Sequence, residues 1–343
     1  RLRGVSILCV ASGLLLFAIG GALIGWPTEL LFGLSSRVTL SAGLNYFFCS
    51  INLLLVVSFV WWARALSEQR LPPVSFWIYT VSAVALAALQ GSKVILFFFT
   101  LTMILVYHVM RRRVSPARLA VLVVVFVPVL SLYTIYIRDH VVLGERRSIE
   151  STAGWLSFLW LLVTREFASN FVQLQALTLV VDRVPDVLEF QYGRTLLAML
   201  TIAVPSSWYP EKYLTAPGVF TLAIDPDRWI REGTTLPPGL IGEMYMNFGT
   251  IGVVLGLLCF GAGFGLIRRA VKRRGSDPAT VVLYAISVAM LAHYIRGELV
   301  SPTVLLLIFA IPTILLLVIS LAERRQTLAD ERTLGGAIGE TTS

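Results

Sequence analysis

Apolar residues in this chain run in long, nearly unbroken stretches divided by short polar junctions, not in the one-sided stripes of elements that face water. Eight stretches, about 4–26, 42–63, 74–90, 94–110, 119–137, 245–267, 279–295 and 300–321, are each close to the roughly 17–25 residues that carry a helix across a hydrocarbon core. Each predicts one helix, and together they predict an all-α integral membrane protein, a polytopic bundle of at least eight spans. The pattern breaks once, between the fifth and sixth stretches, where residues 138–241 form a single long loop. Within it Trp155–Thr164 and Phe167–Val181 have helical apolar spacing, and 196–204 is apolar enough to dip into a membrane interface. Pro205, Pro210, Pro217, Pro226, Pro237 and Pro238 then divide the remainder into turns and extended pieces. Long loops of this kind are usually functional. The domain reading is one membrane unit, 1–325, with the loop included, and a polar cytoplasmic tail, 326–343, expected to be disordered.

Composition agrees. Hydrophobic residues make up 57% and charged residues 14% of 343, against about 25% charged in a soluble domain. The +8 net charge falls mainly at alternate junctions: Arg64 and Arg70, then Arg111, Arg112, Arg113 and Arg118, then Arg268, Arg269, Lys272, Arg273 and Arg274, then Arg324, Arg325 and Arg332. By the positive-inside rule these junctions are cytoplasmic, which puts the 138–241 loop on the outer face. No solvated basic domain is present, so a nucleic-acid partner is not expected. Cys9, Cys49 and Cys259 all fall within apolar runs and suggest neither a disulfide framework nor a metal site. The chain begins at Arg1, so spans preceding it stay open.

The most informative stretch is 237–265. Here Gly242-Glu243-Met244-Tyr245-Met246-Asn247-Phe248-Gly249 runs into a glycine-laced apolar helix with no polar linker. A carboxylate and an amide at the mouth of a bundle are costly unless they have partners or a function. This run resembles the signature of the O-antigen, or oligosaccharide repeat-unit, polymerase family, a group of GT-C-type membrane glycosyltransferases. Phe190-Gln191-Tyr192-Gly193, the Ala203–Lys212 block around Trp208, and Thr234-Thr235 before Pro237-Pro238 extend the resemblance. Gly91-Ser92-Lys93 and Arg296-Gly297-Glu298 add weaker matches. Where the family commonly has Pro-Arg ahead of the tryptophan, this chain has Pro205-Ser206.

The resemblance implies joining of undecaprenyl-pyrophosphate-linked oligosaccharide units into a surface polysaccharide on the outer face of a bacterial inner membrane. It also implies membrane lipid and a chain-length regulator as partners. Such chemistry needs cations on the departing pyrophosphate and a base for the acceptor hydroxyl. Expected pyrophosphate and glycan contacts are Lys93, Arg138, Lys212, Arg296, Tyr192, Trp208, Tyr245 and Asn247. Expected catalytic residues are Glu243, Arg165, Glu166 and His140, with Asp139 and Glu298 as further carboxylates. Any one of the cations alone is equally explained as a residue snorkelling at a helix end, and Glu243 as a helix cap. His108 and His293 read as structural. With no Asp-x-Asp pair, Walker loop or Cys/His cluster, neither a metal nor another cofactor is expected. An O-antigen ligase-like transferase and a polysaccharide or lipid flippase remain alternatives; the flippase would call for charges inside spans and paired interrupted helices.

Overall fold

The computed structural model describes residues 2–24, 50, 52–89, 93–121, 124–125, 129, 160, 173–202, 204, 208–232, 235–274, 277–316 and 318–319. Among them the chain is all-helical, with no strand. The main helices are α1 (Leu2–Ile24), α2 (Asn52–Ser67), α3 (Val74–Leu89) and α4 (Lys93–Met110), then α5 (173–183). They continue with α6 (Arg194–Thr201), α7 (Ala216–Ile224), α8 (Gly239–Arg274) and α9 (Pro278–Arg296), and α10 (Val300–Leu316). Six of the eight predicted apolar runs thus appear as α1, α3, α4, α8, α9 and α10, and the second appears from Asn52 onward as α2. The 119–137 run lies mostly outside the described residues, and so do Trp155–Thr164, except Trp160, and the 326–343 tail.

Helix α2 is the hub of the bundle, packing against α1, α3, α4 and α9. Its Phe59 stacks on Phe99 at 5.4 Å and meets Phe98 and Phe309 at 6.2 and 6.3 Å. Large flat side chains fill the space where four helices converge, and their burial is the main apolar contribution here. Two hydrogen bonds inside this core join elements distant in sequence. Trp61 Nε1 donates to Ser6 Oγ at 3.0 Å, and the Ser50 hydroxyl donates to the Gly13 carbonyl at 2.8 Å, which fixes α1 on α2. Helix α9 starts at Asp277, whose side chain accepts from the Thr280 amide at 3.1 Å, with Pro278 in the first turn. Both are ordinary N-terminal signals.

A second, smaller core lies within the former loop region. Ala176, Val180 and Val184 from α5 and its C-terminal turn meet Phe220 of α7 and Met246 of α8, with Phe190, Leu236 and Tyr245 packed around them. The described part of the loop, from 173 onward, is therefore a folded layer against the start of α8.

Among the described residues two helices are long and apolar enough to cross a membrane, α1 and α8. Helix α8 is not one rod. Gly249 has φ 65° and ψ −156°, outside helical space, and glycine reaches such angles without the Cβ penalty. The two limbs, 239–248 and 250–274, fold back on each other. A Cβ placed on Gly256 would meet Met244 Sδ at 2.5 Å, whereas twelve residues of straight helix would hold those positions about 18 Å apart. Gly252 and Gly256 thus receive the chain's own first limb. The predicted 245–267 span is corrected accordingly: its first residues belong to the buried limb.

Candidate functional site

The first limb of α8 presents Glu243 and Asn247, one helical turn apart, to α6 and to the link between α9 and α10. Both side chains are fully buried. The Glu243 carboxyl group uses both oxygens. Oε1 accepts from the Thr195 hydroxyl at 3.2 Å, and Oε2 from the Leu299 backbone N–H at 2.5 Å. Asn247 Nδ2 donates to Thr195 Oγ1 at 2.7 Å and to the Glu243 carbonyl at 2.8 Å, while its Oδ1 accepts from the Gly193 N–H at 2.8 Å. Thr195 is thus donor to one partner and acceptor from the other, which only a hydroxyl can be.

Backbone contacts extend the same junction. The amides of Gln191 and Tyr192 donate to the carbonyls of Met246 and Asn247 at 2.9 and 3.1 Å, and the Gly239 amide donates to the Gly297 carbonyl at 3.0 Å. Gly239 has φ 73°, and a Cβ there would lie 2.9 Å from the Ile295 carbonyl oxygen. Only glycine permits this close approach of α8 to the end of α9. Residues 190–193, 239–249 and 296–299 are therefore tied into one unit.

Glu298 is a second buried carboxylate, next to the peptide that bonds Glu243. It accepts from the Ser301 hydroxyl and faces Thr215 and Ala216 at the start of α7. Its Oε2 is buried with no hydrogen-bond partner. Burial pushes this carboxyl above the ordinary carboxylate range, and the donors around it oppose that shift only in part. Among the described residues no cation pairs with Glu243 or Glu298.

The expected site residues divide into three groups. Glu243, Asn247, Tyr192 and Tyr245 are brought together, with the Phe190 ring 6.3 Å from Tyr192 and 6.4 Å from Tyr245. Arg296 is exposed on the last turn of α9, beside the Gly239–Gly297 contact. Trp208 is exposed and Lys212 half-buried on the segment leading into α7, and neither joins the polar network. Lys93 begins α4. Arg138, Asp139, His140, Arg165 and Glu166 lie outside the described residues. His108 accepts from the Val114 amide at 2.9 Å, consistent with a structural role.

Thr195, Leu299, Ser301 and Thr215 were not singled out from sequence. A threonine on a short helix, 48 residues from its carboxylate, carries no local signal of such a role. Both Glu243 oxygens are engaged and closed off, so the residue holds α6 and the α9–α10 link in fixed relation beneath the exposed Tyr192 and Arg296. The chain matches no protein-family model, no curated protein and no solved structure.

Proposed function

We propose that this chain is a membrane glycosyltransferase that polymerises lipid-linked oligosaccharide repeat units. In this reading it has at least eight spans, sits in a bacterial cytoplasmic membrane, and exposes the 138–241 region on the outer face. The observation that carries the reading is convergence. Two of the segments on which the family resemblance rests, 190–193 and 242–249, are far apart in sequence and hydrogen-bonded to each other, and bonds at the adjoining Gly239 and Leu299 bring the third, 296–298, beside them. A chance likeness in separate segments gives no reason for them to meet.

The reaction replaces the bond between the donor sugar's anomeric carbon and the lipid pyrophosphate with one to an acceptor hydroxyl oxygen. The pyrophosphate leaves with the bonding electron pair, and the hydroxyl proton passes to a base. Arginine and lysine stabilise the departing charge. Arg296, beside the junction, is the first candidate for this role, with Lys212, Lys93, Arg138 and Arg165 as the others. Because Glu243 is enclosed, the geometry favours a positioning role for it. Base duty then falls to Glu166, Asp139 or His140.

The test is purified protein in vesicles given an undecaprenyl-pyrophosphate-linked repeat unit, with and without EDTA. The reading predicts a ladder of longer lipid-linked glycans in both. Movement of intact substrate across the bilayer without elongation would replace the polymerase with a flippase. Transfer only to a different acceptor would replace it with a ligase-like enzyme.

A further inference from the structure

We infer that α6 and the segment 208–214 form an interfacial seat, lying in the headgroup region of the bilayer with their outward faces in lipid. This rests on reading the chain as a membrane protein but not on its enzymatic activity.

Helix α6 is built inside out for a helix bathed in water. Thr195 and Ala198 are fully buried, while Leu197 and Leu200, on the opposite side, are 43% and 75% exposed. In water an amphipathic helix turns its leucines inward. Here the inward face carries the hydroxyl that completes the Glu243–Asn247 network, and the leucines face out. The outward face ends at exposed Arg194, whose long side chain can reach headgroups while its stem stays in the apolar layer.

The segment that follows has the same character. Trp208, Tyr209, Tyr213 and Leu214 are exposed within seven residues, with Lys212 among them. Tryptophan and tyrosine with a polar tip, interspersed with a cation, are what a protein places at the level of lipid headgroups. Helix α6 packs against both α7 and α8. At the start of α6 a Cβ on Gly193 would lie 3.4 Å from the Phe248 ring of α8, and Phe248 opens the exposed apolar series Ile251, Val254 and Leu255. That continuity identifies the occupant as lipid, and an interfacial helix sinks its apolar face roughly 5–10 Å into the headgroup–acyl boundary.

The seat has a consequence for access. Thr195 faces Glu243 while Leu200, on the other side of the same two-turn helix, faces lipid, so α6 is the partition between the bilayer and the polar junction. A substrate that arrives on a lipid carrier meets this helix first.

The experiment uses full-length protein with Cys9, Cys49 and Cys259 replaced by serine, carrying one new cysteine labelled with an environment-sensitive fluorophore. Labels are placed by Leu200→Cys, Leu197→Cys and, as references, Asp186→Cys and Val254→Cys. Each protein is reconstituted in phosphatidylcholine–phosphatidylglycerol vesicles and quenched by iodide or by lipids with shallow or deep nitroxides. The seat predicts that Leu197 and Leu200 are quenched most by shallow nitroxides and severalfold less by iodide than Asp186. Iodide quenching equal to that at Asp186 overturns it. So does shielding from every quencher, which means that protein covers the face. If Val254 too is open to iodide and untouched by lipid nitroxides, the membrane reading itself fails. If Val254 is quenched by deep nitroxides and the α6 positions are not quenched by lipid, only the seat fails.

Discussion

In the first limb of α8, Gly242, Glu243, Met244, Met246 and Asn247 are buried, whereas in the second Ile251, Val254, Leu255, Leu258 and Leu266 are exposed. The limbs are consecutive in sequence and differ in what they hide. The first puts a carboxyl group and an amide inside and satisfies both with hydrogen bonds. The second puts branched aliphatic side chains outside, along about 37 Å of helix at 1.5 Å per residue, enough to cross a hydrocarbon core. An apolar exterior of that extent is abnormal in water and ordinary in lipid. The difference teaches that one helix here faces two media. Gly249 is where the chain changes from a protein environment to an apolar one, and its non-helical backbone lets each limb choose its own neighbours.

The strongest way to break the comparison is to put a charge on the second limb. Leu258→Asp, near its middle, costs roughly 2.5–3.5 kcal/mol of insertion free energy if that face meets lipid. The fraction of chains with 250–274 inserted should fall sharply in a membrane-insertion assay. An unchanged fraction would mean that the exposed face does not meet lipid.

In the first limb the sensitive change is the reverse, from polar to apolar. Asn247→Leu strands the Gly193 N–H and removes a partner from Thr195, at on the order of 1–3 kcal/mol for each stranded group. Thr195→Val strands Glu243 Oε1 and one of the two Asn247 Nδ2 hydrogens, the other still bonding the Glu243 carbonyl, whereas Thr195→Ser keeps the hydroxyl. Thermal unfolding in detergent should rank them with Asn247→Leu and Thr195→Val well below wild type and Thr195→Ser close to it. Equal loss in the serine and valine variants would show that the threonine methyl, not the hydroxyl, matters.

A smaller effect sharpens the electrostatics of the junction. The folded pKa of Glu298 lies above its ordinary value of 4.5 because the group is buried. Its contribution to stability is therefore fully present below the unfolded pKa and is lost as pH rises through the folded one. Wild-type Tm should fall over that rise, and Glu298→Gln, which cannot ionise, should flatten the slope by on the order of a few degrees. A slope unaltered by the substitution would place the titration elsewhere.

Much of the bundle was legible because long apolar runs leave a helix little choice. The 74–90, 94–110 and 279–295 runs match α3, α4 and α9 to within a residue or two. Glu243 and Asn247 stood out because polar groups beside an apolar run require an explanation. The break at Gly249 did not stand out, since 237–265 is rich in glycine and most of those glycines sit in regular helix. Thr195 was hidden for another reason. Its role exists only once α6 lies against α8, and a tertiary contact across 48 residues leaves no periodic trace. The apolarity of 196–204 suggested an interface, but which face of α6 turns outward was illegible, because its residues read equally well with the leucines turned inward.

The most direct test is Glu243→Gln, assayed in vesicles for polymerisation and in detergent for thermal stability. Glutamine keeps the size of the side chain and an oxygen for the Leu299 N–H, and loses the ability to take a proton. If Glu243 is the support that joins α6, α8 and the α9–α10 link, the variant should elongate lipid-linked glycan at close to the wild-type rate, with only a small change in Tm. Abolished elongation at unchanged Tm, with donor lipid still bound, would contradict the account and make Glu243 the base itself.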